Sequence, residues 1–138
     1  MARTLRVLAQ LMGWSCLAIG LAHVVLGNAA IPGAGSAGPT VDSWGRFMGA
    51  VFAGYGLAWL LAARRRPIPA GAVRWLAGVF LLGGVGRLLS LAAYGRPHWF
   101  QIALTVIELA LPPVLFWLAD KEERAVREEG AAVAAARR

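Results

Sequence analysis

The sequence predicts an all-α integral membrane protein, a four-helix transmembrane bundle with both termini in the cytoplasm. Three observations carry this expectation. Four apolar runs are each long enough to cross a bilayer, charges gather between them, and one arginine and one glutamate sit inside the last two runs. The 138 residues are 59% hydrophobic and 15% charged, far from the balance of a soluble domain. The formal net charge of +7 does not mark a nucleic-acid binder, because the basic residues stand at the ends of apolar runs and form no aromatic-interleaved polar surface. All but Lys121 of the 14 basic residues are arginine. With the abundant Ala and Gly, this points to a GC-rich bacterial genome and a bacterial plasma membrane.

The first run, about residues 5–27, follows Arg3 and Arg6 and is too long for a signal-peptide core, so it reads as the first span. Gly13, Gly20 and Gly27 recur every seventh residue, a stripe that lets a neighbouring helix approach closely. His23 lies three residues past Gly20 and shares that face. Cys16 reads as a small buried hydrophobe; a lone cysteine forms neither a disulfide framework nor a cysteine metal site.

Residues 31–39 carry two prolines and no periodicity, and form a loop. Asp42 or Ser43 is placed to cap a second span over about 44–63. Its small residues are Gly45, Gly49 and Ala53, and Arg46 in its first turn opposes the helix dipole, which makes Asp42 its expected partner. Arg64-Arg65-Arg66-Pro67 closes this span. A third, about 72–94, ends at Gly95-Arg96-Pro97, and a fourth, about 98–118, leads into a charged tail over 119–138. The domain division is therefore 1–118 and 119–138, with Glu123–Arg127 and Arg124–Glu128 as i,i+4 pairs in a solvated helical tail.

Basic residues cluster at the N-terminus, in the second connection and in the tail, which places both termini inside. Trp59, Trp75 and Trp117 fall at the inner boundary and Trp44 and Trp99 at the outer one, as belts; Trp14 is expected to pack inside.

Arg87 lies about seven residues before the outer end of span three, roughly 10 Å deep, and Glu108 about ten residues into span four, roughly 15 Å deep. An Arg87–Glu108 ion pair across adjacent antiparallel helices follows. Ser90 and Tyr94 extend the Arg87 face, and Gly83 and Gly84 leave room beneath it. Gln101, Thr105, Glu108 and Pro112 share one face of span four. Pro112 and Pro113 free the carbonyls of Glu108 and Leu109, so a kink beyond Glu108 and a second Arg87 bond to a freed carbonyl are expected.

The candidate ligand-binding set is His23, Arg46, Arg87, Ser90, Tyr94, Gln101 and Glu108, with Asp42, Gly49, Gly83, Gly84, Pro112 and Pro113 as structural support. No catalytic residue is assigned. Ser90, His23 and Glu108 have no spacing that builds a triad, His23 and His98 lack metal-ligand partners, and no phosphate loop is present, so no cofactor is expected.

The order Asp42-Ser43-x-x-Arg46-Phe47-x-Gly49, Gly83-Gly84-x-Gly86-Arg87-x-x-Ser90, Gly95-Arg96-Pro97, and Glu108 with Pro112-Pro113 resembles a family of small bacterial membrane proteins. That family is catalogued as a domain of unknown function and is similar in layout to DoxX-like proteins. The resemblance covers about 5–118 and implies a four-helix membrane fold, without an activity, cofactor or partner.

Two functions compete. In one, the polar level binds a lipid or a small polar or anionic ligand, or assists its transport. In the other, Arg87–Glu108 is a clamp in an accessory subunit, a homo-oligomer or a larger membrane complex. An enzyme using Glu108 or His23 on an apolar substrate is the weakest reading, because burial and the Arg87 partner act against each other on Glu108 as a proton donor.

Overall fold

A computed structural model describes residues 2–35 and 38–137. It contains four long helices: α1, Ala2–Leu26; α2, Pro39–Arg64; α3, Ala70–Tyr94; and α4, Trp99–Ala136. A short 3-10 turn, Gly27–Ala30, follows α1. Among the described residues there is no strand. Each long helix is long and apolar enough to cross a membrane.

The chain folds as two antiparallel hairpins, α1–α2 and α3–α4. In the first, glycines set the spacing in reciprocal pairs. A Cβ on Gly49 would lie 2.9 Å from the Gly20 carbonyl oxygen, and one on Gly20 would lie 2.6 Å from that of Gly49. Two turns away, a Cβ on Gly56 would lie 2.7 Å from the Gly13 oxygen. No side chain fits where two backbones run this close, so the seven-residue glycine stripe of α1 meets a seven-residue stripe of α2. Of the expected Gly45, Gly49 and Ala53, Gly49 and Ala53 lie at this contact, where a Cβ on Gly20 would stand 2.8 Å from Ala53 Cα; Gly45 makes no comparably tight approach, and Gly56 joins them.

At the end holding the N-terminus of α1, the hairpins converge. Leu5, Ala9, Met12 and Cys16 pack there with Trp59, Ala63, Ile68, Val73, Ala77, Leu115, Leu118 and Ala119. Tyr55 ties the hairpins together by donating its hydroxyl to the Leu76 carbonyl at 2.6 Å. Arg74 fastens α3 to α4, donating to Asp120 at 2.6 Å and to Glu123 at 2.5 Å. Burying this apolar set supplies packing at one end only.

Several expectations are corrected. α2 begins at Pro39, not Trp44, and Gly38 precedes it without a side-chain cap; proline suits the first turn because it has no N–H to satisfy. Asp42 and Ser43 thus lie inside the helix. Trp59 is fully buried rather than part of a belt, and Trp14 faces outward at 62% exposure rather than packing inside. The tail is helical as expected: α4 includes Pro112 and Pro113 and continues as one helix of 38 residues into the charged segment. At 1.5 Å per residue that is about 57 Å, well beyond a hydrocarbon core of about 30 Å. Of the two expected tail pairs, Glu123–Arg127 forms at 2.7 Å.

Candidate functional site: a polar-ended cavity between the hairpins

Away from the converged end the hairpins part, and a cavity of about 580 Å³ lies between them. Every helix contributes to its wall. α1 supplies Met12, Ser15, Cys16, Ile19, Ala22 and His23; α2 supplies Met48, Gly49 and Phe52; α3 supplies Phe80 and Arg87; α4 supplies Phe100, Gln101, Leu104, Ile107 and Glu108. Ala30 and Pro32 reach it from the connection after α1. The wall is mostly apolar; its polar groups are Arg87 on α3, Gln101 and Glu108 on α4, and Ser15 and His23 on α1.

Arg87 and Glu108 form the expected pair. Arg87 Nε donates to Glu108 Oε2 at 2.7 Å, with the carboxylate side chain only 9% exposed and the guanidinium side chain 35% exposed. The second Arg87 bond is a correction. Nη1 donates to Gln101 Oε1 at 2.6 Å, not to a carbonyl freed by a proline. Gln101 lies two helical turns toward the α4 start from Glu108, so one guanidinium bridges both along the same face. The Gln101 amide nitrogen then points to the Pro32 carbonyl, 3.5 Å away. Thr105, between the two, donates its hydroxyl back to the Gln101 carbonyl at 2.8 Å.

Close helix approach makes this pairing possible. A Cβ on Gly84 would stand 3.0 Å from Glu108 Cβ and 2.9 Å from Leu109 Cδ2. Gly84 is thus a contact point between α3 and α4, and not the open space expected of it. Gly83 is the roomier of the two, with Glu108 Oε2 at 3.9 Å from its would-be Cβ.

His23 reaches the cavity from α1. Its Nδ1 donates to the Ile19 carbonyl at 2.8 Å, which leaves Nε2 for a second partner. Gly49 lies directly beneath, where a Cβ would meet His23 Cβ at 2.6 Å. A larger residue at position 49 would displace the imidazole.

The other candidates lie elsewhere. Arg46 donates through Nη1 to the Val24 carbonyl at 2.7 Å and to that of Val25 at 3.1 Å, and through Nε to Asp42 Oδ2 at 2.8 Å. It therefore caps the C-terminus of α1, satisfying carbonyls that the helix end leaves open. Asp42 completes the clasp by accepting the Asn28 N–H at 3.0 Å. Gly27, at φ +57°, fits against this clasp where a Cβ would strike Asp42. Ser90 faces the outer side of the α3–α4 seam, and Tyr94 is 91% exposed at the helix end. Pro112 is buried in the α4 contact face, whereas Pro113 is exposed.

That outer side carries a second hollow of about 370 Å³, lined by Leu88, Ser90, Leu91, Pro97, Ile102, Thr105, Val106 and Leu109. Arg87 and Gln101 line it as well. The same two residues thus stand between the central cavity and a groove on the bundle's exterior. The aromatic wall of Phe52, Phe80 and Phe100 carried no sequence signal, because apolar residues at helical spacing look alike whether they face a cavity or a core. Among the described residues no group of three or more His, Cys, Asp and Glu side chains is placed to hold a metal ion.

Neither a curated protein nor a solved structure matches the chain. One family model, described as a domain of unknown function (DUF4345), matches residues 4–119, from the first turns of α1 past the buried Leu118. It takes in the whole of the cavity and both of its charged residues and leaves out most of the projecting end of α4. The chain belongs to the DUF4345 family.

Proposed function

We propose that this protein binds a lipid or another small, polar-headed apolar molecule between its two hairpins, and holds it or assists its transfer. The observation that carries the reading is the cavity of about 580 Å³, which has Arg87, Gln101, Glu108 and His23 in its wall beside Phe52, Phe80 and Phe100. Its volume is that of small-molecule sites, and an apolar body with a few convergent polar groups is their usual chemistry. A clamp alone needs Arg87 and Glu108 in contact; it does not need the hairpins to part beside them. The exterior groove at the same arginine supports a ligand that comes from the bilayer.

The setting is a bacterial plasma membrane crossed four times, with both termini inside. Arg3, Arg6, Arg64, Arg65 and Arg66 gather at the converged end with Lys121 and Arg124 of the α4 extension, which supports that orientation. Reporter fusions at each terminus check it: both active only in the cytoplasm is the expected result. For the ligand, the test is mass spectrometry of small molecules that co-purify with the protein. Arg87→Ala is expected to lose the bound species, and an Arg87→Ala protein that retains all of it contradicts the reading.

A partner or a second copy in the membrane is the alternative, favoured by the bare side of α3, where Trp75 is 80%, Leu82 70% and Leu89 67% exposed. Purification in mild detergent as a monomer without partners would remove it.

A further inference from the structure

The polar end of the cavity is electrically closed on itself. Arg87 and Glu108 cancel, at 2.7 Å, with the carboxylate side chain only 9% exposed. Among the described residues no other cation forms an ion pair with Glu108. The remaining titratable residues in the wall are His23 and Cys16. Arg87 nevertheless keeps hydrogen-bonding capacity. Of the roughly five N–H groups of a guanidinium, one is given to Glu108 and one to Gln101.

We infer that the site selects an uncharged oxygen-bearing head group, a hydroxyl or carbonyl on an apolar body, over a carboxylate or phosphate head. This rests on the ligand-binding reading above and narrows it. An anionic head would place a second negative group around one guanidinium already shared with a buried carboxylate. The like-charge repulsion goes unscreened where the wall is apolar. An uncharged oxygen accepts from the remaining Arg87 N–H groups without that opposition, and at the pH of the experiment below a hydroxyl can also donate to His23 Nε2, the ring nitrogen not bonded to Ile19.

The experiment uses two probes of one chain length, a long-chain alcohol and the matching fatty acid, each with a mid-chain diazirine. Both are presented to the full-length protein in phosphatidylcholine vesicles at pH 9, where the acid is ionised. Photolabelling is read by mass spectrometry at Phe52 and Phe80 of the cavity wall. In the wild type the alcohol is expected to label at roughly one-tenth the concentration the acid requires, or less. In Glu108→Gln, which leaves Arg87 without its counter-charge, the acid is expected to label at least as well as the alcohol. Equal or better labelling by the acid in the wild type overturns the head-group inference and leaves the pocket standing. An undiminished alcohol preference in Glu108→Gln overturns it too. If neither probe labels the cavity, the ligand-binding reading itself falls. The wild-type comparison decides the matter even where Glu108→Gln does not fold.

Discussion

Arg87 pairs with Glu108, and in the proposed function it also holds a ligand; substitutions separate the two. Removing it alone leaves the Glu108 carboxylate without its partner inside the bundle, a cost of about 3 kcal/mol by membrane-insertion scales. Arg87→Leu is therefore expected to lower thermal stability in detergent and to lose the ligand. The double substitution Arg87→Leu with Glu108→Leu removes both charges, and is expected to restore most of the stability while binding stays lost. Stability that stays low in the double variant would mean that the pair contributes more than mutual neutralisation. The Arg87–Glu108 pair was legible in the sequence because charges inside apolar runs are rare and an arginine side chain spans the difference between their depths. Gln101 was legible only as a member of the right face. The Arg46 contact with Val24 and Val25 was not legible, since it depends on how α1 ends against α2 and no local pattern encodes that.

At the scale of elements, glycine pairs decide which helices touch. Gly49→Val forces a side chain against the Gly20 carbonyl and the His23 side chain, with no flexible neighbour on the backbone side. A loss of about 1–3 kcal/mol is expected, as for other overpacked contacts, and denaturation in mixed micelles measures it. The stripe on α1 was visible as a heptad repeat. Its counterpart on α2 was legible at Gly49 and Ala53 but wrong at Gly45 and silent on Gly56, because α2 offers several small residues and only the partner's register chooses among them.

The α4 extension is an element with its own pH dependence. Arg74 and then Arg127 hold the Glu123 carboxyl below the usual carboxylate range. A depressed value in the folded protein means that the contact stabilises above the unfolded pKa and weakens as pH falls through the folded one. Protection of residues 120–130 against hydrogen exchange, taken relative to the intrinsic rate at each pH, is therefore expected to fall only in acid, below the ordinary glutamate pKa. Glu123→Gln is expected to show lower protection at neutral pH and little further change with acid. Protection that falls instead between pH 6 and 8 would contradict the assignment to Glu123.

Over the whole molecule, the central feature is uneven packing. Leu5, Trp59, Val73 and Leu115 are fully buried at the converged end. At the other end the hairpins separate around apolar side chains and one neutral ion pair. The four helices and their order followed from apolar run lengths, prolines and charge placement, all local properties. The cavity did not, because it is made by a difference in packing between two ends of the same helices, and Phe52, Phe80 and Phe100 belong to three of them.

Filling that space tests the account most directly. Ala22 lies in the cavity wall on α1, one residue from His23 and away from the α3–α4 ion pair. Native mass spectrometry of wild-type protein and of Ala22→Trp, purified identically from the membrane, reports any bound small molecule. The predicted result is a near-stoichiometric bound species in the wild type that is absent from a stable, folded Ala22→Trp protein. The same species at the same occupancy in both proteins, or none in the wild type, would contradict the claim that the space between the hairpins is a ligand site.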